Sequence, residues 1–124
     1  MSQAYGPYSP WRVENGVVYT SGQVGAVKGK AQPDITAQVQ QALDNLRSVL
    51  EEAGSGLDKV IKTTVFLINM SHYAAMNEVY AAVFEQAGTA PARTCVAVAE
   101  LPRVADHPLL VEVEAVALLR EEKL

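Results

Sequence analysis

Residues 60–69, VIKTTVFLIN, decide the fold. The run is rich in β-branched and aromatic residues and largely apolar, so it reads as a buried strand, and it is too short for a typical helix. On its N-terminal side, Ile35, Val39, Leu43, Leu46, Val49, Leu50 and Ala53 recur at spacings of three and four, the period of an amphipathic helix over residues 34–53. Asp34, just after Pro33, is the expected N-cap, and Gly54 the residue beyond the C-cap. On its C-terminal side, Ser71 is the expected cap of a second helix. Tyr73, Met76, Val79, Tyr80, Val83, Phe84 and Ala87 form that helix's buried stripe, and Gly88 ends it.

Working outward, Trp11 to Glu14 and Val17 to Ser21 flank Asn15-Gly16, the dipeptide best suited to the two positive φ angles of a type I′ turn, which predicts a hairpin. Beyond Pro91, Thr94 to Ala99 reads as a strand and Pro102 to Pro108 as a loop. Leu109 to Leu118 reads as a last strand, with Val111, Val113 and Ala115 on one face and Glu112, Glu114 and Val116 on the other. The order is ββαβαββ. The economical layout is an α+β fold, one mixed sheet with both helices packed on one face. A second face carrying this many Val and Ala residues needs cover, which points to an oligomer.

Composition agrees. The 124 residues, 13.3 kDa, fit one domain spanning 1–124. Hydrophobic residues make up 49% and charged ones only 19%; the latter falls below the usual share of about 25%, which excludes disorder and again points to surface covered by another subunit. The net charge is -4, and the basic residues form no cluster beyond the spaced pair Lys28 and Lys30, so nucleic acid is a poor default partner. Cys95 is the single cysteine, which excludes an internal disulfide. Met1 to Gly6 lacks the charged and apolar regions of a signal peptide, and no apolar run nears the roughly 20 residues of a membrane span. A soluble, cytoplasmic protein is expected.

The chemistry is sparse. His72 and His107 are the only histidines, far apart and without companions at ligand spacing, so no metal is expected. Gly22, Gly25 and Gly29 match no phosphate-binding loop, and Ser21 sits in no nucleophile elbow. Arg93 stands out because it opens a strand after Pro91-Ala92. Its guanidinium projects from a rigid element, where it is either a plain surface arginine or a bidentate clamp for a small carboxylate. Glu112 and Glu114 share a strand face, which either meets solvent or half-buries one carboxylate to orient water. Cys95 shares the strand face of Arg93, as a small buried hydrophobe or as a pocket thiol whose pKa the arginine lowers. Tyr8, in a proline-containing loop, is a lid or a packing residue; Ser21 donates a hydrogen bond to a ligand or to backbone.

In order along the chain, Gly6-Pro7-Tyr8-Ser9, Val18-Tyr19-Thr20-Ser21-Gly22-Gln23, Pro91-Ala92-Arg93-Thr94, Leu101-Pro102 and Val111-Glu112-Val113-Glu114-Ala115 resemble the RidA (YjgF) family of reactive-intermediate deaminases, also labelled endoribonuclease L-PSP. The resemblance covers Gly6 to about Leu118. It implies a chorismate-mutase-like fold and a homotrimer with sites between subunits. It implies hydrolysis of enamines and imines such as 2-aminoacrylate or 2-aminocrotonate, products of pyridoxal-phosphate enzymes, to 2-keto acids and ammonia, with no cofactor. By position, Arg93 would hold the substrate carboxylate, Glu112 would position the attacking water, and Tyr8, Ser21 and the Cys95 segment would line the pocket. The segment Arg103 to Leu110 is longer than the family pattern and is expected to alter the pocket rim. Two other functions compete: a non-catalytic module that binds a small keto or amino acid through Arg93, and an endoribonuclease or translation inhibitor. The acidic charge and isolated histidines serve the latter poorly.

Overall fold

A computed structural model describes residues 5–121. The elements are β1 (Trp11–Glu14), β2 (Val17–Thr20), β3 (Gln23–Val24), β4 (Ala26–Val27), β5 (Lys30–Ala31), α1 (Ile35–Glu52), β6 (Val60–Leu67), α2 (Tyr73–Ala87), β7 (Ala92–Ala97) and β8 (Val111–Leu118). Strands run in the order β1-β2-β8-β6-β7, with β3 also on β8; β4 and β5 form a separate hairpin. Among the described residues only β6 and β7 pair in parallel, as suits two strands joined across α2. The fold is therefore α+β with a mixed sheet. Both helices contribute to one core: Val39, Leu43, Leu46 and Leu50 of α1 and Met76, Tyr80, Val83 and Phe84 of α2 pack with Val18, Val65, Val113 and Ala115 of the sheet. Among the described residues, no helix is long and apolar enough to cross a membrane.

The local signals act as expected at most ends. Asn15 and Gly16 take φ of 50° and 79°, closing the β1–β2 hairpin. The Asp34 carboxylate accepts from the Ala37 N–H at 2.9 Å, and Gly54 takes φ of 89° beyond the last turn of α1. Gly88, at φ 95°, ends α2.

Other ends differ from the sequence reading. Ser71 does not cap α2. Asn69 instead accepts from the Ser71 N–H at 2.8 Å and caps a 3-10 turn, Met70–His72, from which α2 starts without a side-chain cap. Strand β7 runs Ala92–Ala97 rather than 94–99, β6 stops at Leu67 and β8 starts at Val111. One cause covers all three: Leu67 pairs with both Ala97 and Val111, so the ladder ends there for three strands at once.

The order ββαβαββ also omitted β3, β4 and β5. Tyr19 pairs with Val116 but Gln23 with Val113, so four residues on one strand span three on the other. This bulge at 20–22 bends the chain, and the Thr20 hydroxyl replaces the missing ladder partner by accepting from the Ala115 N–H at 3.0 Å. Lys28 and Gly29, at φ 50° and 79°, repeat the turn of the first hairpin with a residue pair of weaker signal. Around this hairpin Val24, Ala26 and Leu109 form a satellite core with Leu101, Val104 and Ala105.

Gln38, 1% exposed, ties these pieces to α1. Its side-chain N–H groups donate to the carbonyls of Gln32 and Pro108, and its oxygen accepts from the Leu110 N–H at 2.8 Å. Gly25 lies so close to Gln38 that a Cβ there would overlap its Cα and carbonyl oxygen. Backbone cannot move aside as a side chain can. Gly25→Ala is therefore expected to destabilise the fold by roughly 3 kcal/mol, at the upper end of overpacking costs, with a fall in Tm on the order of 10 °C. Thermal unfolding checks it; an unchanged Tm would contradict this close approach.

The face of the sheet opposite the helices carries Tyr19, Val96 and Leu118, which are 50%, 38% and 44% exposed.

Candidate functional site

The two residues singled out for chemistry lie on opposite faces of the sheet. Arg93 pairs with Thr63, which pairs with Ala115; Thr63 and Ala115 are buried under the helices. Val96 and Glu112 both pair with Phe66, which an odd number of residues places on the other face. A single copy of the chain thus presents an arginine at one edge of its helix-covered face and a carboxylate on its open face.

Arg93 is held in an aromatic cradle built by α2. Its Nη2 donates to the Tyr73 hydroxyl at 3.1 Å, and its Nη1 lies 3.7 Å from Met76 Sδ. The guanidinium carbon stands 4.8 Å from the centre of the Tyr80 ring and 5.6 Å from that of Tyr73. Tyr80 is itself fixed by a buried 2.6 Å hydrogen bond with Thr63. These neighbours are neutral: among the described residues Arg93 makes no ion pair. A half-buried cation with an oriented fork and no anion beside it is a site for an anion.

Cys95 shares this face, since Val65 pairs with both Cys95 and the buried Val113. Burial pushes its thiol pKa up and the pull of Arg93 downward is the smaller effect, which favours the small buried side chain over the activated thiol. It packs against the core as a neutral side chain.

Glu112 is half-buried beside Gly22 in the β2–β3 bulge, where a Cβ would strike its carboxylate. Burial and the charge of Glu114 both raise its pKa, with burial the larger cause. Ser21 adjoins Gly22, and its hydroxyl donates to the Ser9 carbonyl while its N–H donates to the Pro10 carbonyl at 2.9 Å. These bonds bring the Tyr8 segment alongside. Tyr8 is 48% exposed, and its hydroxyl accepts from the Tyr5 N–H at 3.1 Å. Tyr8, Ser21 and Glu112 therefore belong to one neighbourhood and Arg93 and Cys95 to another.

The long segment after Ala97 docks on the β4–β5 hairpin. The Asp106 carboxylate accepts from the Ala31 N–H at 2.8 Å, which holds its pKa below the usual range. Beneath lies a hollow of about 480 Å³ bordered by Leu101, Arg103, His107 and Leu109, and neither Arg93 nor Glu112 lines it.

Sequence reasoning missed the cradle. It assigned Tyr73 to the buried stripe, whereas Tyr73 is 41% exposed and turned to Arg93. The available signal was the position of Tyr73, Met76 and Tyr80 on one helix face opposite the strand that Arg93 opens.

The chain thus combines an α+β fold with a mixed sheet, an aromatic-cradled arginine on one face and a carboxylate beside a glycine bulge on the other. The crystal structure of the YjgF gene product from Escherichia coli superposes with a TM-score of 0.87 at 35% identity, covering 96% of this chain and 93% of that one. That of Escherichia coli TdcF with bound serine gives 0.88 at 33%, with the same coverage. The family model described as Endoribonuclease L-PSP matches residues 1–119. A RutC family protein of Synechocystis is 42% identical over 92% of this chain and 87% of its own length. The 2-iminobutanoate/2-iminopropanoate deaminase of Escherichia coli is 38% identical over 94% and 91%. The chain belongs to the RidA (YjgF) family.

Proposed function

We propose that the protein is a hydrolytic deaminase of small 2-imino acids and their enamine tautomers, such as 2-aminoacrylate and 2-aminocrotonate. The observation that carries this reading is the ion-pair-free, cradled guanidinium of Arg93, which suits a substrate carboxylate. The deaminase relative at 38% identity supports it.

An imine carbon next to a carboxylate is already electrophilic, so the protein has only to anchor, orient and move a proton. The enamine first takes a proton from solvent on its terminal carbon to give the protonated imine. Water then adds to the imine carbon: the C–O bond forms, the C=N π pair goes to nitrogen, and Glu112 takes the proton. Glu112 returns it to nitrogen, the C–N bond breaks, and ammonia leaves. The carbinol hydroxyl loses its proton to solvent, replacing the one taken up at the start, and leaves the 2-keto acid, so enamine and water become keto acid and ammonia.

The placement of Arg93 and Glu112 on opposite faces of one sheet supports a site to which two copies contribute. The exposed apolar side chains Tyr19, Val96 and Leu118 on the open face suit burial by a neighbour. The assembly in this reading is the homotrimer, with Arg93 of one copy facing Tyr8, Ser21 and Glu112 of the next. It is a single-domain subunit that requires no cofactor. The test is keto-acid formation from freshly generated 2-aminoacrylate with semicarbazide competing for the imine. Acceleration by the wild type is expected; none would refute the activity.

The pH profile carries a further expectation. Glu112 works as the carboxylate, so kcat/KM rises as pH climbs through its raised pKa. Removing the Glu114 charge in Glu114→Gln lowers that pKa, and the acid limb should move to lower pH. Burial, the larger cause, remains, so the limb stays above that of an ordinary glutamate. A limb that does not move, or moves up, would remove Glu112 from the titration.

The serine bound to the TdcF relative favours a second reading, a module that only binds small carboxylates. Saturable binding of 2-ketobutyrate without faster imine hydrolysis would select it. Cleavage of RNA, the activity in the family model's description, has less support from a chain of net charge -4.

A further inference from the structure

We propose that Tyr73 is the second residue of the carboxylate clamp, donating its hydroxyl proton to the anion that Arg93 holds. The inference rests on the reading of Arg93 as an anion site and adds a recognition element to it. Tyr73 heads α2, yet it is 41% exposed and its hydroxyl, rather than packing on the core, meets the guanidinium at 3.1 Å. A guanidinium has no lone pair to offer, so in this contact the phenol oxygen can only accept. The phenol proton is therefore not used by Arg93 and is free to be donated to an anion that Arg93 holds. Accepting from a cation also makes the phenol a stronger donor.

The rest of the cradle supports this geometry. The Thr63–Tyr80 hydrogen bond and the stack of Arg93 on Tyr80 fix the guanidinium from below, and Met76 Sδ engages Nη1. Nη2 has one N–H directed to Tyr73 and a second left over, so a carboxylate at that corner meets an N–H and an O–H together. The ligand class selected is a small 2-keto or 2-imino acid in its ionised form.

Calorimetric binding of 2-ketobutyrate to wild type, Tyr73→Phe and Arg93→Ala tests the inference. Tyr73→Phe keeps the ring against Arg93 and removes only an exposed hydroxyl, so an unchanged Tm accompanies it. Loss of one charge-assisted donor is expected to weaken Kd about tenfold and to lower kcat/KM by a similar factor. Arg93-dependent binding whose Kd is indifferent to Tyr73→Phe overturns this inference alone. Absence of wild-type binding, or equal binding by Arg93→Ala, overturns the reading of Arg93 and this inference with it.

Discussion

Arg93→Ala lowers kcat/KM for imine hydrolysis by about a thousandfold or more, the largest effect expected of any single change. Two contributions combine. The ion pair that anchors the carboxylate is lost, and with it the orientation that presents the imine carbon to water. Anchoring at a site remote from the reacting carbon is realised in both kcat and KM, so both should worsen. Stability should change little: the side chain leaves a stack on Tyr80 worth about 1 kcal/mol and a hydrogen bond to an exposed phenol. A variant that melts near the wild-type temperature yet retains more than about a tenth of its activity would contradict the assigned role.

Glu112→Gln is the second large change. Removing the proton acceptor should lower kcat about a hundredfold with a much smaller change in KM, the signature of a group that acts in the transition state. Stability should move the other way. Burial and Glu114 raise the folded-state pKa of Glu112, so the fold favours its protonated form. The cost of the ionised carboxylate is absent below the unfolded-state pKa and is fully present once pH exceeds the folded-state pKa. At neutral pH the neutral amide escapes that cost, and Tm should be equal to or above that of the wild type. A lower Tm, or a KM effect exceeding the kcat effect, would assign Glu112 to binding or structure instead.

The fold was legible wherever one local signal decides an element. Asn15-Gly16, Asp34, Gly54 and Gly88 each mark an end that their own backbone or side-chain chemistry sets. Strand ends were not legible, because Leu67 terminates β6, β7 and β8 through pairing, which no single strand encodes. The small strands β3 to β5 escaped because a bulge and a Lys-Gly turn stabilise them together with the satellite core.

Around the candidate site, the face each residue takes within its own strand was legible, and the grouping of residues across strands was not. The alternation of β8 correctly put Glu112 on the face away from the core, and the spacing of Arg93 and Cys95 correctly put them together. That the two groups occupy opposite faces follows only from the register of three strands. Tyr73 was misjudged because helical periodicity cannot tell a core residue from one turned to a strand-edge arginine; of the two readings of Cys95, burial, which outweighs the nearby cation, favours the small buried side chain.

The most direct test mixes the two inactive variants. Arg93→Ala and Glu112→Gln are unfolded together, refolded into hybrid assemblies, and assayed for keto-acid formation against each variant alone. If Arg93 of one copy works with Glu112 of its neighbour in a trimer, random mixing leaves about a quarter of the sites intact, and a comparable fraction of wild-type activity returns. Hybrids that form yet stay as inactive as their parents would contradict a site shared between copies.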